Sequence, residues 1–258
     1  MNPELQELIH ILWDELTDFD ATRFDDVADR LMAGLCELVD AQNSVWIGSV
    51  RLSDATLGDY VNGWRVPVFR YLHPTRMLDK IASEQAKDLH RGIANDTLVA
   101  NIAAAGRFRA NRLRDLVSDE WFDSNYYHRY YLSTGRCDAI FVAFPVNEDA
   151  ESWFGVFREV GKPYFTPEER DNLAYTLRGI KWFHRQLMLS HGLLIARKPL
   201  TPAERRVLQL LLSRASEKEI GNNLGLTANS VHQYVVSVFR KFGVNSRAAL
   251  MSLWLGAT

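Results

Sequence analysis

Apolar residues recur at three- and four-residue intervals near the start of the chain. Leu5, Leu8, Ile9, Leu12 and Leu16 line one stripe, and Phe24, Val27, Leu31, Leu35 and Leu38 line another, which predicts helices over 4–17 and 22–40. The period then shortens. Asn43–Leu52 is rich in β-branched and aromatic residues and reads as a strand; Gly63–Tyr71 reads as a second, with Pro67 restricting it to an edge or a bulge. Residues 76–117 are mixed and mostly helical, with Gly92 and Gly106 as interruptions, and the aromatic run WFDSNYYHRYY that follows is a loop or short helix. Asp138–Val146 and Ser152–Val160 have strand length and a short polar connector, Asn147-Glu148-Asp149, and so predict a hairpin. Thr166 and Glu169 then form a capping box that opens a long helix running from Pro167 to about Ala196.

The last quarter, Leu200–Leu250, is patterned most sharply. Thr201-Pro202-Ala203-Glu204 is a capping box with proline at the first helical position, and Val207, Leu208, Leu211 and Leu212 follow on one face. Ser216-Glu217-Lys218-Glu219 opens a second helix whose inward side is Ile220 and Leu224. Gly225-Leu226-Thr227 makes a turn, and Val231, Val235, Val238 and Phe242 line a third helix. This is the pattern of a helix-turn-helix, whose second helix can enter the major groove of DNA.

Charge supports that division. From Arg197 onward there are nine Lys/Arg and three Glu, a net +6, which leaves 21 basic and 29 acidic residues in the rest of the chain. Only the basic tail is suited to phosphates, and the expected domains are 1–196 and 197–258. No apolar run of eighteen residues and no signal peptide appears, which speaks against a membrane. Cys36 and Cys137 form no disulfide framework, as expected of a cytoplasmic protein. No phosphate loop, nucleophile elbow or metal-ligand spacing is present, so neither an enzyme nor a cofactor or metal site is expected.

In order, LTPAE, Lys218-Glu219-Ile220, Ser230-Val231, and Arg240–Val244 with Ser246-Arg247 resemble the DNA-binding domain of LuxR-type (NarL/FixJ-like) bacterial transcription regulators. The resemblance implies base contacts at His232, Gln233 and Val236, with Asn229 beside them. It implies backbone contacts at Lys218, Thr227, Ser230, Ser237, Arg240 and Lys241 on double-stranded DNA carrying an inverted repeat. It also implies that the last helix, with Ala249, Leu250 and Leu253, pairs with its twin in a homodimer. Arg214 departs from the glycine that usually ends the first helix, and Gly221 from the usual alanine of the second.

The body predicts an α+β sensor, an antiparallel sheet with covering helices, ahead of an all-α four-helix helix-turn-helix domain. Phe165-Thr166-Pro167-Glu168-Glu169, straight after the hairpin, resembles the end of GAF domains, in a sensor of the GAF/PAS kind. The acyl-homoserine-lactone-binding type competes with it. That type's spaced Trp, Tyr and Asp-Pro signature does not line up, although Trp64 and Tyr71-Leu72-His73-Pro74 resemble it loosely. Trp46, Trp64, Arg65, Tyr126, Tyr127, Tyr130, Tyr131, Phe141 and Trp153 are candidates to line a small-molecule pocket. The alternative reading is a plain aromatic core in a ligand-free dimerisation or protein-interaction module. Leu173, Leu177, Ile180, His184, Leu187, His191 and Leu194 follow alternating steps of four and three, so the long helix could offer a coiled-coil seam to a second copy.

Overall fold

The computed structural model describes residues 2–51, 61–91, 95–194 and 199–256. The chain clusters into two compact units, Met1–Asp14 with Asp29–Lys181, and Glu15–Ala28 with Trp182–Thr258. The boundary expected at 196/197 lies outside the described residues, and the residues on either side of it from Trp182 onward group together.

Helices α1 (Pro3–Thr17) and α2 (Phe24–Leu38) come first, with one 3-10 turn between them. Strands β1 (Asn43–Arg51) and β2 (Trp64–Tyr71), helices α3 (Arg76–His90) and α4 (Asp96–Ala103), and the short strand β3 (Arg109–Arg112) follow. Two small helices, α5 (Leu113–Leu116) and α6 (Asn125–Tyr130), lead to the hairpin β4 (Arg136–Asn147) and β5 (Ala150–Glu159). The sheet is antiparallel, in the order β2-β1-β5-β4-β3. Pro67 therefore sits on an edge strand, where its missing N–H costs no ladder bond. Strand β3 was not legible in the sequence: its residues, RANR, carry no apolar alternation, and only pairing with β4 makes them a strand.

β1, β4 and β5 are covered on both faces, so burial continues along them rather than alternating, and it takes in polar residues such as Ser44, Asp138 and Glu151. Parity sorts their side chains. On one face Trp46 lies opposite Phe154, and Trp46 Nε1 donates to Ser152 Oγ at 2.9 Å. Helix α2 covers this side: Ser44 Oγ donates to the carbonyl of Met32, and Arg70 grips Asp29 with two bonds of 2.9 and 2.6 Å. The other face carries Val45 and Ile47 of β1, Phe69 and Tyr71 of β2, Phe141 of β4 and Trp153 of β5, and α3 and α6 pack over it.

The long helix predicted from Pro167 is two helices, α7 (Pro167–Arg178) and α8 (Lys181–Ser190). The carbonyl of Thr176, which the N–H of Ile180 would reach in a continuous helix, accepts instead from Trp13 Nε1 at 3.0 Å. An inserted side-chain donor of this kind breaks the helical ladder. The indole also lies where a side chain at Gly179 would be, 2.5 Å from an ideal Cβ. The break corrects the expected coiled-coil seam. Leu173, Leu177, Ile180, His184 and Leu187 are at most 1% exposed and His191 is 3% exposed, so these residues offer no surface to a twin. Among the described residues no helix is long and apolar enough to cross a membrane.

Gly179→Ala tests the break. Alanine favours helix by about 1 kcal/mol over glycine, but here its methyl meets the Trp13 ring; overpacking of this kind costs about 1–3 kcal/mol. Chemical denaturation should show a less stable protein, and an equal or higher midpoint would refute the packing described.

Candidate nucleic-acid interface and enclosed cavity

The second unit closes on α9 (Pro202–Leu211), α10 (Glu217–Leu224), α11 (Ala228–Phe242) and α12 (Arg247–Leu255). Each capping box forms as the sequence dictates: Thr201 with Glu204 opens α9, and Ser216 with Glu219 opens α10. Thr227 caps α11 by accepting from Ser230 N–H, and Gly225 and Gly243 end α10 and α11 in the left-handed conformation that glycine adopts without strain. Val231, Val235, Val238 and Phe242 are buried, which turns the opposite side of α11 to solvent. Asn229, His232, Gln233, Val236 and Arg240 all lie on that exposed side, Val236 at 50% exposure. Nδ1 of His232 is 3.3 Å from a carboxylate oxygen of Glu217.

The expected backbone contacts separate into two groups. Lys218 and Arg240 are exposed. Lys241 and Ser237 are turned inward: Lys241 Nζ donates to Glu204 at 2.7 Å and to the carbonyl of Pro199, and Ser237 Oγ donates to the other oxygen of Glu204 at 2.7 Å. A buried carboxylate needs such partners, so these two side chains belong to Glu204 rather than to a phosphate. The hydroxyls of Thr227 and Ser230 are bonded to each other in the cap of α11. On α12, Leu250 and Trp254 are buried, and Trp254 meets the ring of Phe24 edge-on at 5.5 Å. That removes Leu250 from the surface expected for a twin. Ala249 and Leu253 are half-buried, and Leu255 is 76% exposed.

In the first unit, α3, α4 and α6 lie over the sheet face of Val45 and Ile47 and leave a partly open cavity of about 150 Å³. Val45, Ile47, Phe69, Phe141 and Phe157 of the sheet wall it, with Gln85 of α3, Thr97 and Leu98 of α4, and Tyr126, Tyr130, Tyr131 and Arg136. A second cavity of about 100 Å³ shares Ile47, Val66, Leu89, Thr97, Leu98 and Phe141 with the first, and reaches Trp64, Ile102 and Trp153. Gly155 keeps the floor low, since a Cβ there would lie 3.0 Å from Val45 and 3.3 Å from Phe141.

Six of the nine candidate pocket residues therefore meet at the cavities: Tyr126, Tyr130, Tyr131 and Phe141 at the first, Trp64 and Trp153 at the second. Trp46 does not, because parity sends it through the sheet to Ser152. Tyr127 has its hydroxyl bonded to the carbonyl of Cys137, and Arg65 lines neither cavity. Polar residues missed by the sequence reading stand at both. Tyr126 Oη accepts from the amides of Gln85 and Asn95, each at 2.6 Å. Glu151, a wall of the second cavity, takes a two-pronged bond from buried Arg109 at 2.9 and 2.8 Å and the indole N–H of Trp153. The positions 109 and 151 are far apart in sequence, and no local pattern marks them as a pair.

The family model for bacterial regulatory proteins of the luxR family matches residues 198–254. This segment is a LuxR-family helix-turn-helix domain. Among solved structures, the crystal structure of Escherichia coli SdiA is similar over 97% of this chain and 96% of its own length, at 11% identity and a TM-score of 0.50. SdiA in complex with octanoyl-rac-glycerol is similar over 100% of this chain and 96% of its own, at 10% identity and 0.49. The LBD domain of VqsR from Pseudomonas aeruginosa is similar over 69% of this chain and 96% of its own, at 16% and 0.43. No curated protein matches the chain. The likeness to E. coli SdiA shows a shared fold, an antiparallel five-stranded sheet with helices ahead of a helical DNA-binding domain.

The departures of this LuxR-family domain at Arg214 and Gly221 have structural answers. In place of a glycine cap at 214, the guanidinium of Arg247 donates to the carbonyls of Leu211 and Ala215 at 2.7 Å and to that of Ser213, which satisfies the end of α9 from a distance. Gly221 lies under the turn, where a Cβ would be 2.9 Å from the carbonyl oxygen of Leu226. Glycine here permits a closer approach than alanine would.

Glu204 ties the cap of α9 to α11. Burial alone would raise its carboxyl, but the bonds from Lys241, Thr201 and Ser237 outweigh that and hold it at about 2, against an ordinary 4.5. A carboxylate depressed in the folded state contributes stability that is complete above the unfolded value and fades as pH falls toward the folded one. Glu204→Gln should therefore destabilise the protein at pH 7, by an amount on the order of 3 kcal/mol at most. The gap from the parent should close between about pH 4.5 and 2. A gap that is unchanged with pH would mean that the charge of Glu204 is irrelevant to the fold.

Proposed function

We propose that this chain is a bacterial transcription regulator in which a small molecule held in the cavity beside the sheet governs how a dimer binds DNA. The observation that carries the reading is the pairing in one chain of a LuxR-family helix-turn-helix with a sheet-and-helix domain that encloses a mostly apolar, tyrosine-rimmed cavity. Pockets of that description, with a few placed polar groups, are the usual seats of small ligands. The exposed side of α11 supplies the reading surface: Gln233 can pair with an adenine edge in bidentate fashion and Val236 can pack on a thymine methyl. Asn229 and His232 flank them, and Lys218 and Arg240 supply the phosphate contacts. The face of α12 that carries Ala249 and Leu253 is the surface a second copy would cover, which would set two recognition helices on an inverted repeat.

Duplexes selected from a random pool by the full-length protein give the test. Gln233→Ala should weaken the selected site by about 1–3 kcal/mol and relax the preference at one base position. Arg240→Ala should weaken all duplexes alike and lower the salt slope by about one unit. If Gln233→Ala weakens selected and random duplexes equally, Gln233 does not read a base.

A further inference from the structure

Three arginines of the sensor unit are buried, Arg109, Arg136 and Arg158. Two of them meet a carboxylate: Arg109 meets Glu151 at 2.8 Å, and Arg158 meets Glu169 at 2.7 Å. Arg136 has none among the described residues. Its Nε donates to Thr134 Oγ1 at 2.7 Å, its Nη2 donates to the carbonyl of Tyr130, and the guanidinium also hydrogen-bonds the hydroxyl of Tyr71. The guanidinium lies over the ring of Phe157 at 4.5 Å and is 5.4 Å from that of Tyr131. These contacts hold its orientation without neutralising it, and a buried charge that lacks a counter-charge is costly. Arg136 is 8% exposed and forms part of the wall of the first cavity.

The hydroxyl beside it has the same preference. Tyr126 Oη already accepts from Gln85 and Asn95, so both lone pairs are used and its proton is left to donate. Burial raises the phenols of Tyr126 and Tyr131, which keeps them protonated donors at neutral pH. Cation and donors thus line a space whose other walls are mostly apolar.

We infer that the cavity takes a carboxylic acid with an apolar body, its carboxylate on Arg136 and Tyr126 and its body reaching toward Trp64 and Trp153. This deepens the sensing reading above and rests on it. The volume limits the body to an aryl ring or a short chain, because a protein cavity of about 150 Å³ is the size that accepts benzene.

Calorimetric titration of the full-length protein near pH 7 with phenylacetate and octanoate, each beside its neutral amide, tests the inference. The acids should bind at least about tenfold more tightly than phenylacetamide and octanamide, because a charge-assisted bond to the guanidinium is lost with the amide. Arg136→Gln should abolish that preference and Arg136→Lys should keep part of it, while the comparison of acid with amide on the parent protein needs no variant to fold. Amides that bind as well as acids, or acids whose affinity ignores Arg136→Gln, would overturn the carboxylate while leaving the cavity as a sensor. If neither acid nor amide binds at millimolar concentration, the carboxylate inference and the sensing reading both fall.

Discussion

The first unit depends on a sheet that is buried on both faces. With both faces covered, most side chains of β1, β4 and β5 are buried on one side of the sheet or the other, and the two-residue period decides which. One face is closed tightly, by Trp46, Phe154 and Ile140, each essentially inaccessible to solvent. The other is roofed by α3 and the shorter α4 and α6, which do not fill it, and the unfilled part is the cavity. Burying so much sheet also forces charged groups to find partners inside, as Arg109 and Glu151 do beneath Trp153.

The same demand for compensation shapes the DNA-binding unit. Glu204 begins as an ordinary capping-box residue, yet its carboxylate also collects Ser237 and Lys241 from α11. One buried carboxylate therefore satisfies a helix start and sets α11 against it. Arg247 does the corresponding work at the other end of α9, where a cation suits the carbonyls left unsatisfied at a helix C-terminus. The exposed side of α11 is left with residues that have few duties in the fold.

Helix periods, capping boxes, the hairpin and the order of motifs in the last quarter were legible because each is local. A cap needs residues three apart, and an amphipathic stripe repeats within a turn or two. The boxes at Thr166, Thr201 and Ser216 formed as read, and the inward face of α11 is the one its valines spell out. The resemblance of that segment to LuxR-type regulators rested on the same local spacing, and the family model covers the same residues. The class of the sensor was less legible, because an α+β pattern of this length suits more than one arrangement.

What only the tertiary structure decided is which residues from distant parts of the chain meet. Trp46 and Phe141 both read as aromatic strand residues, but parity across the sheet sends one into the core and the other to the cavity. The helix from Pro167 carries an unbroken apolar pattern, yet the indole of Trp13, far back in sequence, takes the carbonyl that would have continued it. Lys241 resembles a phosphate contact until Glu204 is found beside it. Periodicity fixes the face a side chain presents, because that is set by the backbone dihedrals of its own segment. Its partner is set by long-range packing, whose energy is shared among segments that no single stretch of sequence contains.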